Sequence, residues 1–544
     1  MKDAYKTNYR IGEDNLQKWG LDIHHPVFWI SALSILGFII LTLLSPITAK
    51  KVFDSSKAFS IQNFDWLFLY VTNFLVLFCL VLIVSPYGKI RLGGNHQKPD
   101  FSLLSWFSML FAAGMGIGLM FWSVAEPVGY YTDWFGTPLG VEARTEAGRK
   151  LALGTALFHW GLHPWAIYAV VGLSLAFFSF NKKLPLSIRS GFYPLIGEKT
   201  WGWMGHTVDV VAVLATIFGL ATSLGFGAKQ AAGGMEYVFG INNDLSLQII
   251  VICGITLIAI LSVVRGLEGG VKILSNANMI LALMLFLFVL LLGPTVGILK
   301  DVVTTLRSYG NHVFELSSFN DRSDETFLHS WTVFYWAWWI SWSPFVGMFI
   351  ARISRGRTIR EFLMAVLIVP VLVTTIWMAT FGGTALEQVV AAEGPLADGV
   401  TKVELAMFQM LENLPLKSIT AFIATIVVLL FFVTSSDSGS LVIDSITSGG
   451  KLDAPIPQRI FWASMEGCIA IALLVGGGAD ALGALQAGAI SVGLPFSIVL
   501  LILAFSLVLG LRHEWKYAEI SHQKPLSNQK ESFCCHHFQK NRKD

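Results

Sequence analysis

The chain is 544 residues long, 54% hydrophobic and only 14% charged, with a mean hydropathy of +0.62, whereas soluble domains carry roughly 25% charged residues. So few charges cannot cover so much apolar surface in water, which excludes a string of soluble domains and indicates an integral membrane protein. A net charge of +2, from 38 Lys and Arg against 36 Asp and Glu, carries no bias toward nucleic acid.

A helix crossing the hydrocarbon needs about 20 mostly apolar residues. Twelve stretches qualify, at 26–48, 65–85, 103–123, 151–180, 206–238, 246–264, 275–298, 329–350, 361–385, 416–440, 460–479 and 484–511. The predicted class is an all-α polytopic membrane protein with 12 transmembrane helices. Residues 1–25, with Asp3, Glu13 and Asp14 among their bases, do not read as a cleavable signal peptide and are expected to be an inner tail. Placing both termini inside puts the larger share of Lys and Arg on the inner side.

The third stretch contains Ala112-Ala113-Gly114-Met115-Gly116-Ile117-Gly118. Glycines at i, i+2 and i+4 do not share one helix face. The spacing predicts a locally unwound segment that offers backbone groups and space to a ligand; close helix packing is the other reading. Glu126 follows, just before Pro127 near an outer helix end.

The fourth stretch reads His159-Trp160-Gly161-Leu162-His163-Pro164-Trp165-Ala166-Ile167-Tyr168. Trp165 and Tyr168 share a face, and an aromatic box can close from Trp160, Trp165, Tyr168 and a ring of the eighth stretch. His159 and His163, at i and i+4, have no third ligand at suitable spacing for a metal, so satisfied interior histidines are expected. In the fifth stretch Asp209 sits near the inner start, and Lys229 is placed to snorkel. The outer loops 299–328 and 386–415 are expected to carry short surface helices.

The eighth stretch runs Trp331-Thr332-Val333-Phe334-Tyr335-Trp336-Ala337-Trp338-Trp339-Ile340-Ser341-Trp342-Ser343-Pro344-Phe345. Trp338 and Trp342 stack one turn apart, with Trp339 three residues before Trp342. Indole faces attract cations that cannot hydrogen-bond, quaternary ammonium above all; aromatic bulk packing is the alternative. The tenth stretch ends Phe431-Phe432-Val433-Thr434-Ser435-Ser436-Asp437-Ser438-Gly439-Ser440. Its hydroxyls suit a hard cation such as sodium, or else they bond their own helix backbone. Asp437 and Asp444 are expected to partner the basic loop 352–360, and Glu466 is a further intramembrane acid.

The tail 512–544 is polar and basic, a solvated inner segment or one that senses anionic lipid. Cys79, Cys253, Cys468, Cys534 and Cys535 form no disulfide framework, and Cys534-Cys535-His536-His537 lacks the gaps of a zinc site.

These motifs, with Ala351-Arg352-Ile353-Ser354-Arg355-Gly356-Arg357 after the tryptophan run, resemble the betaine/carnitine/choline transporter family from about residue 20 to 511, and most closely its sodium-coupled glycine betaine members. The resemblance implies a leucine-transporter-type fold of two inverted five-helix repeats, assembled as a homotrimer. It divides the chain into a cytoplasmic tail 1–25, two extra helices over 26–100, a first repeat over 101–300, a second repeat with a preceding surface helix over 301–511, and a cytoplasmic tail 512–544. By the same likeness Trp160, Trp165, Tyr168 and Trp339 box the trimethylammonium, Trp338 and Trp342 line the inward path, and the broken segment at Gly114, Gly116 and Gly118 supplies carboxylate donors. A sodium site is implied at the carbonyls of Ala112, Met115 and Phe431 with Thr434 and Ser435. Gly118 stands where proton-coupled choline carriers of the family have Asp, which favours betaine and sodium. Thr216 matches half of a second sodium site whose other half is here Leu220.

The expectation is sodium-coupled import of glycine betaine for osmoprotection across the bacterial cytoplasmic membrane, with both termini inside and no organic cofactor. Choline, carnitine, ectoine or dimethylsulfoniopropionate carriage, or sodium-independent exchange, are the alternatives within the class. A channel lacks its ring of charges, and a membrane enzyme lacks convergent catalytic groups.

Overall fold

The computed structural model describes residue 5 and residues 7–114, 116–265, 272–320 and 322–523. A hairpin opens it, β1 (Asn15–Lys18) paired antiparallel with β2 (Leu21–His24). The two-residue turn has positive φ at both Trp19 and Gly20 (54° and 76°), the primed geometry that matches strand twist. Helices follow: α1 (His25–Leu44), α2 (Pro46–Val84), α3 (Leu103–Gly114), α4 (Ile117–Tyr131), α5 (Glu146–Trp160), α6 (Leu162–Ala176), α7 (Tyr193–Ile196), α8 (Trp203–Phe239), α9 (Leu245–Arg265) and α10 (Lys272–Leu292). The second half comprises α11 (Thr295–Ser317), α12 (Glu325–Phe327), α13 (Val333–Ile353), α14 (Ile359–Val390), α15 (Ala406–Glu412), α16 (Lys417–Thr447), α17 (Ile456–Gly477) and α18 (Ala481–Gln523).

Among the described residues each of the twelve predicted stretches is mostly helical. Among the described residues nine helices are long and apolar enough to cross a membrane, or ten when the bent pair α3–α4 counts as one span. The tryptophan-rich α13 is not among them because its indoles and hydroxyls lower its hydropathy, and protein rather than lipid covers it. Burial separates an inner from an outer shell. Nearly all of the apolar stretch of α5–α6 is buried, whereas most of α10 is not, and its Leu283, Leu287, Leu291 and Leu292 face outward.

Several boundaries differ from the sequence reading. The first stretch stops at Leu44, because Pro46 cannot donate to continue the ladder and instead opens α2 at its N1 position. That helix then runs on through the expected loop. Loop 299–328 holds the 23-residue amphipathic α11, longer than a short surface helix, with Arg149 bidentate to its buried Asp301 at 2.9 and 2.7 Å. The expected N-terminal tail contains the hairpin, docked by Asn15 Nδ2 to the Ser448 carbonyl at 2.9 Å and by an ion pair of Asp22 with Lys451. The tail from 512 continues as α18 to Gln523; Lys524, Lys530, Lys540, Arg542, Lys543 and the Cys534–His537 run lie outside the described residues.

Candidate substrate site

The glycine segment is broken, as its spacing predicted. The axes of 103–113 and 117–131 differ by 61°, with Gly116 in extended backbone as the N-cap of α4. Met115 lies outside the described residues, so its carbonyl is not placed. A second break falls at Gly161 between α5 and α6. It frees the His159 carbonyl, which accepts from Trp339 Nε1 at 2.8 Å. The tryptophan helix α13 stays continuous through Pro344. The Ile340 carbonyl that this proline cannot serve accepts from Ser343 Oγ at 2.7 Å.

These elements enclose a pocket lined by Trp160, Trp165, Tyr168, Trp338, Trp339, Trp342, Gly116 and Gly118, together with Ala113, Leu119, Pro164, Val346 and Thr374. Four rings meet edge to face in series: Trp160–Trp339 at 4.7 Å and 70°, Trp339–Tyr168 at 6.4 Å and 81°, and Tyr168–Trp165 at 5.4 Å and 86°. Successive planes near a right angle are the walls of a box whose electron-rich faces can turn toward one cation. Trp338 stacks on Trp339 at 4.5 Å, and its Nε1 donates to Ser223 Oγ at 3.1 Å. Trp342 Nε1 donates to the Gly219 carbonyl at 2.8 Å. A Cβ on Gly118 would sit 2.7 Å from Trp160 Cη2 and 3.0 Å from Trp338 Cη2, so the bare backbone there lets both indoles approach. Gly114 ends α3; its surroundings lie outside the described residues.

A second cavity adjoins the first, with Ala113, Gly116, Trp342 and Val346 lining both. The predicted Ala112, Phe431, Thr434 and Ser435 converge there, with Ser438 from α16 and Ser275 and Asn278 from α10. Thr434 Oγ1 donates to the Leu430 and Phe431 carbonyls at 3.0 and 3.2 Å, leaving its lone pairs for a cation. Buried Asn278 has its Oδ1 unbonded. Thr216 lines neither cavity, and its hydroxyl donates to the Ala212 carbonyl at 2.7 Å. Leu220 packs against Gly439 of α16.

Other expectations need correction. Asp444 pairs with Arg459 at 3.4 Å, not with loop 352–360, whose Arg357 and Arg360 bond the Phe101 and Ile83 carbonyls at 2.8 and 2.6 Å. Asp437 is fully buried on α16. Lys229 does not snorkel to solvent; it lies 3.9 Å from Glu404 with its side chain 16% exposed. Asp209 and Arg189 form a fully buried pair at 3.2 Å. His163 Nε2 meets Asn73 Oδ1 at 3.1 Å, and no metal-competent group of His, Cys, Asp or Glu occurs among the described residues. Sequence reasoning missed Thr374 and Asn278, although Thr374-Thr375 and Asn276-Ala277-Asn278 are polar marks within apolar stretches. It also missed the role of Glu126, which accepts from Trp160 Nε1 at 2.6 Å.

Residues 26–516 match the family model BCCT, betaine/carnitine/choline family transporter. The chain is 60% identical over 514 residues to glycine betaine transporter 1 of Vibrio parahaemolyticus, covering 93% of this chain and 97% of that protein. It is 56% identical over 522 residues to a glycine betaine/proline/choline/ectoine transporter of the same species, covering 94% and 93%. To the glycine betaine transporter OpuD of Bacillus subtilis it is 43% identical over 499 residues, covering 91% and 96%.

Proposed function

The chain belongs to the betaine/carnitine/choline family of transporters, and from that premise we propose that it imports glycine betaine with sodium across a bacterial cytoplasmic membrane, as an osmoprotective carrier. The relatives are named as transporters, and the chain is a multi-pass carrier, not an enzyme. The observation that carries the substrate is the series of four edge-to-face rings above Gly118. A trimethylammonium has no N–H to satisfy, so indole and phenol faces hold it at little desolvation cost, with about 2 kcal/mol or more from cation–π attraction once water is excluded. The carboxylate at the other end of the molecule meets the first turn of α4, whose N–H groups lack intrahelical partners.

The hydroxyl-bearing cavity supports the coupling ion. Sodium there takes the oxygens of Thr434, Ser435, Phe431 and Ala112, with Asn278 as a further donor. It stabilises the state that binds substrate. In this reading the twelve helical stretches cross the membrane as two inverted five-helix repeats after two extra helices, with both termini cytoplasmic and three copies in the assembly. The basic C-terminal tail lies against anionic lipid.

The test is binding of glycine betaine, choline and carnitine to purified protein by tryptophan fluorescence, with and without sodium. Saturable betaine quenching is expected to be tighter with sodium than without it, and Trp339→Leu is expected to abolish it while the thermal unfolding transition stays cooperative. Choline or carnitine binding in potassium alone would replace both the substrate and the energy source. Unchanged betaine affinity in the Trp339 variant would sink the box.

A further inference from the structure

Behind the Trp160 wall lies a carboxylate that no Lys or Arg meets among the described residues. Glu126 is fully buried on α4, and four neutral groups converge on its two oxygens. Tyr130 OH donates to Oε1 at 2.7 Å, and His159 Nδ1 lies 3.2 Å from the same oxygen. Trp160 Nε1 and Tyr335 OH donate to Oε2 at 2.6 and 2.5 Å. An ionised carboxylate can accept from all four at its two oxygens. His159 Nδ1 also lies 2.8 Å from Tyr130 OH, and its Nε2 lies 2.9 Å from Thr332 Oγ1; a neutral ring with its proton on Nδ1 can donate toward Glu126 while Nε2 accepts from Thr332. Neither Lys nor Arg pairs with Glu126 among the described residues. A buried anion held by neutral dipoles alone is costly unless a positive charge arrives.

Two of the four donors belong to the substrate pocket or touch it. Trp160 is a wall of the box, and the Tyr335 ring stacks on Trp339 at 5.8 Å and 25°. An indole whose N–H is bonded to an anion carries more electron density on its face, so the carboxylate both fixes the Trp160 plane and strengthens its attraction for a cation. We infer that Glu126 is the counter-charge of the substrate's quaternary ammonium, acting through Trp160. It is a positioning and specificity residue that selects cationic head groups over neutral ones of the same shape. This rests on the betaine reading above and deepens it.

The experiment compares glycine betaine with 3,3-dimethylbutanoate, in which carbon replaces the charged nitrogen and the shape is kept. Dissociation constants are measured for both ligands on full-length wild type, Glu126→Gln and Glu126→Asp, each checked for a cooperative unfolding transition. The readout is the preference for betaine over this isostere with an uncharged head group. Glu126→Gln is expected to cut that preference about tenfold, the scale of one charge interaction at short range in a protein. Glu126→Asp, which keeps the charge but withdraws it, is expected to hold the preference within about threefold even if both ligands bind more weakly. Equal weakening of both ligands in the Gln variant overturns the inference, because a merely structural Glu126 moves Trp160 for either ligand. If the isostere is too weak to measure, betaine affinity retained by Asp and lost by Gln supports the inference, and equal loss in both overturns it. If the Gln variant does not fold, the preference in Glu126→Asp decides: held, it supports the inference; lost, it overturns it. Wild type without saturable betaine binding condemns the betaine reading itself, a different failure.

Discussion

At the scale of single residues, the site depends as much on what is missing as on what is present. Gly118 carries no side chain where two indole edges converge, and any Cβ there enters the space of Trp160 and Trp338. Overpacking a filled site costs about 1–3 kcal/mol, and here the group displaced is a wall of the pocket. Gly118→Ala is therefore expected to weaken betaine binding by about tenfold or more while changing the melting temperature little, since the rings can retreat into the pocket. Isothermal titration beside a thermal melt checks this, and unaltered affinity would mean the rings give way without cost. Much of the box was legible in the sequence because its chemistry lies in residue type. Trp160, Trp165 and Tyr168 stand out by type and spacing, the family resemblance singles out Trp339 within the tryptophan run, and the four line one pocket. Glu126 was not legible. A lone carboxyl next to a proline says nothing until α4, α5 and α13 bring Tyr130, His159, Trp160 and Tyr335 around it.

At the scale of elements, hydrophobic runs located the helices, but the links between them escaped. Residues 15–24 fall within the tail that the sequence leads one to expect over 1–25, yet Asn15–Lys18 and Leu21–His24 close a hairpin around Trp19-Gly20. Two four-residue strands carry too little periodicity to stand out, and their docking on Ser448 and Lys451 is a contact over more than four hundred residues. The amphipathic α11 is the clearest case of a link with work to do. It lies across α5, which carries Trp160, and α14, where Gly383 leaves room for Asp301. The clamp is Arg149 on Asp301, whose carboxylate is nearly buried while the guanidinium keeps some exposure. Removing the cation leaves an unpaired buried charge, which costs about 3–5 kcal/mol in a dry site and about half that with partial access to water. Arg149→Met is expected to lower the melting temperature by several degrees, and Arg149→Met with Asp301→Leu to recover most of the loss. A double variant as unstable as the single would show that α11 is held by something else.

At the scale of the whole molecule, the two cavities are not separate sites. Ala113, Gly116, Trp342 and Val346 belong to both, so each cavity is partly built from the other's wall. The shared residues lie on the two elements best suited to move together: the glycine break between α3 and α4, and α13, pinned to α8 through Trp342 Nε1 on the Gly219 carbonyl. If sodium and betaine both favour one arrangement of that wall, coupling follows without direct contact between them. It must then be reciprocal: the factor by which sodium raises betaine affinity equals the factor by which betaine raises sodium affinity. Betaine titrations at several sodium concentrations, and sodium titrations at several betaine concentrations, are expected to give one common factor, within the range of about 5–150 for typical couplings. Trp342→Leu, which keeps apolar bulk but loses the bond to Gly219, is expected to shrink that factor while each ligand alone still binds. A factor that survives the substitution would move the coupling away from the shared wall, toward the helices that carry only one of the two cavities.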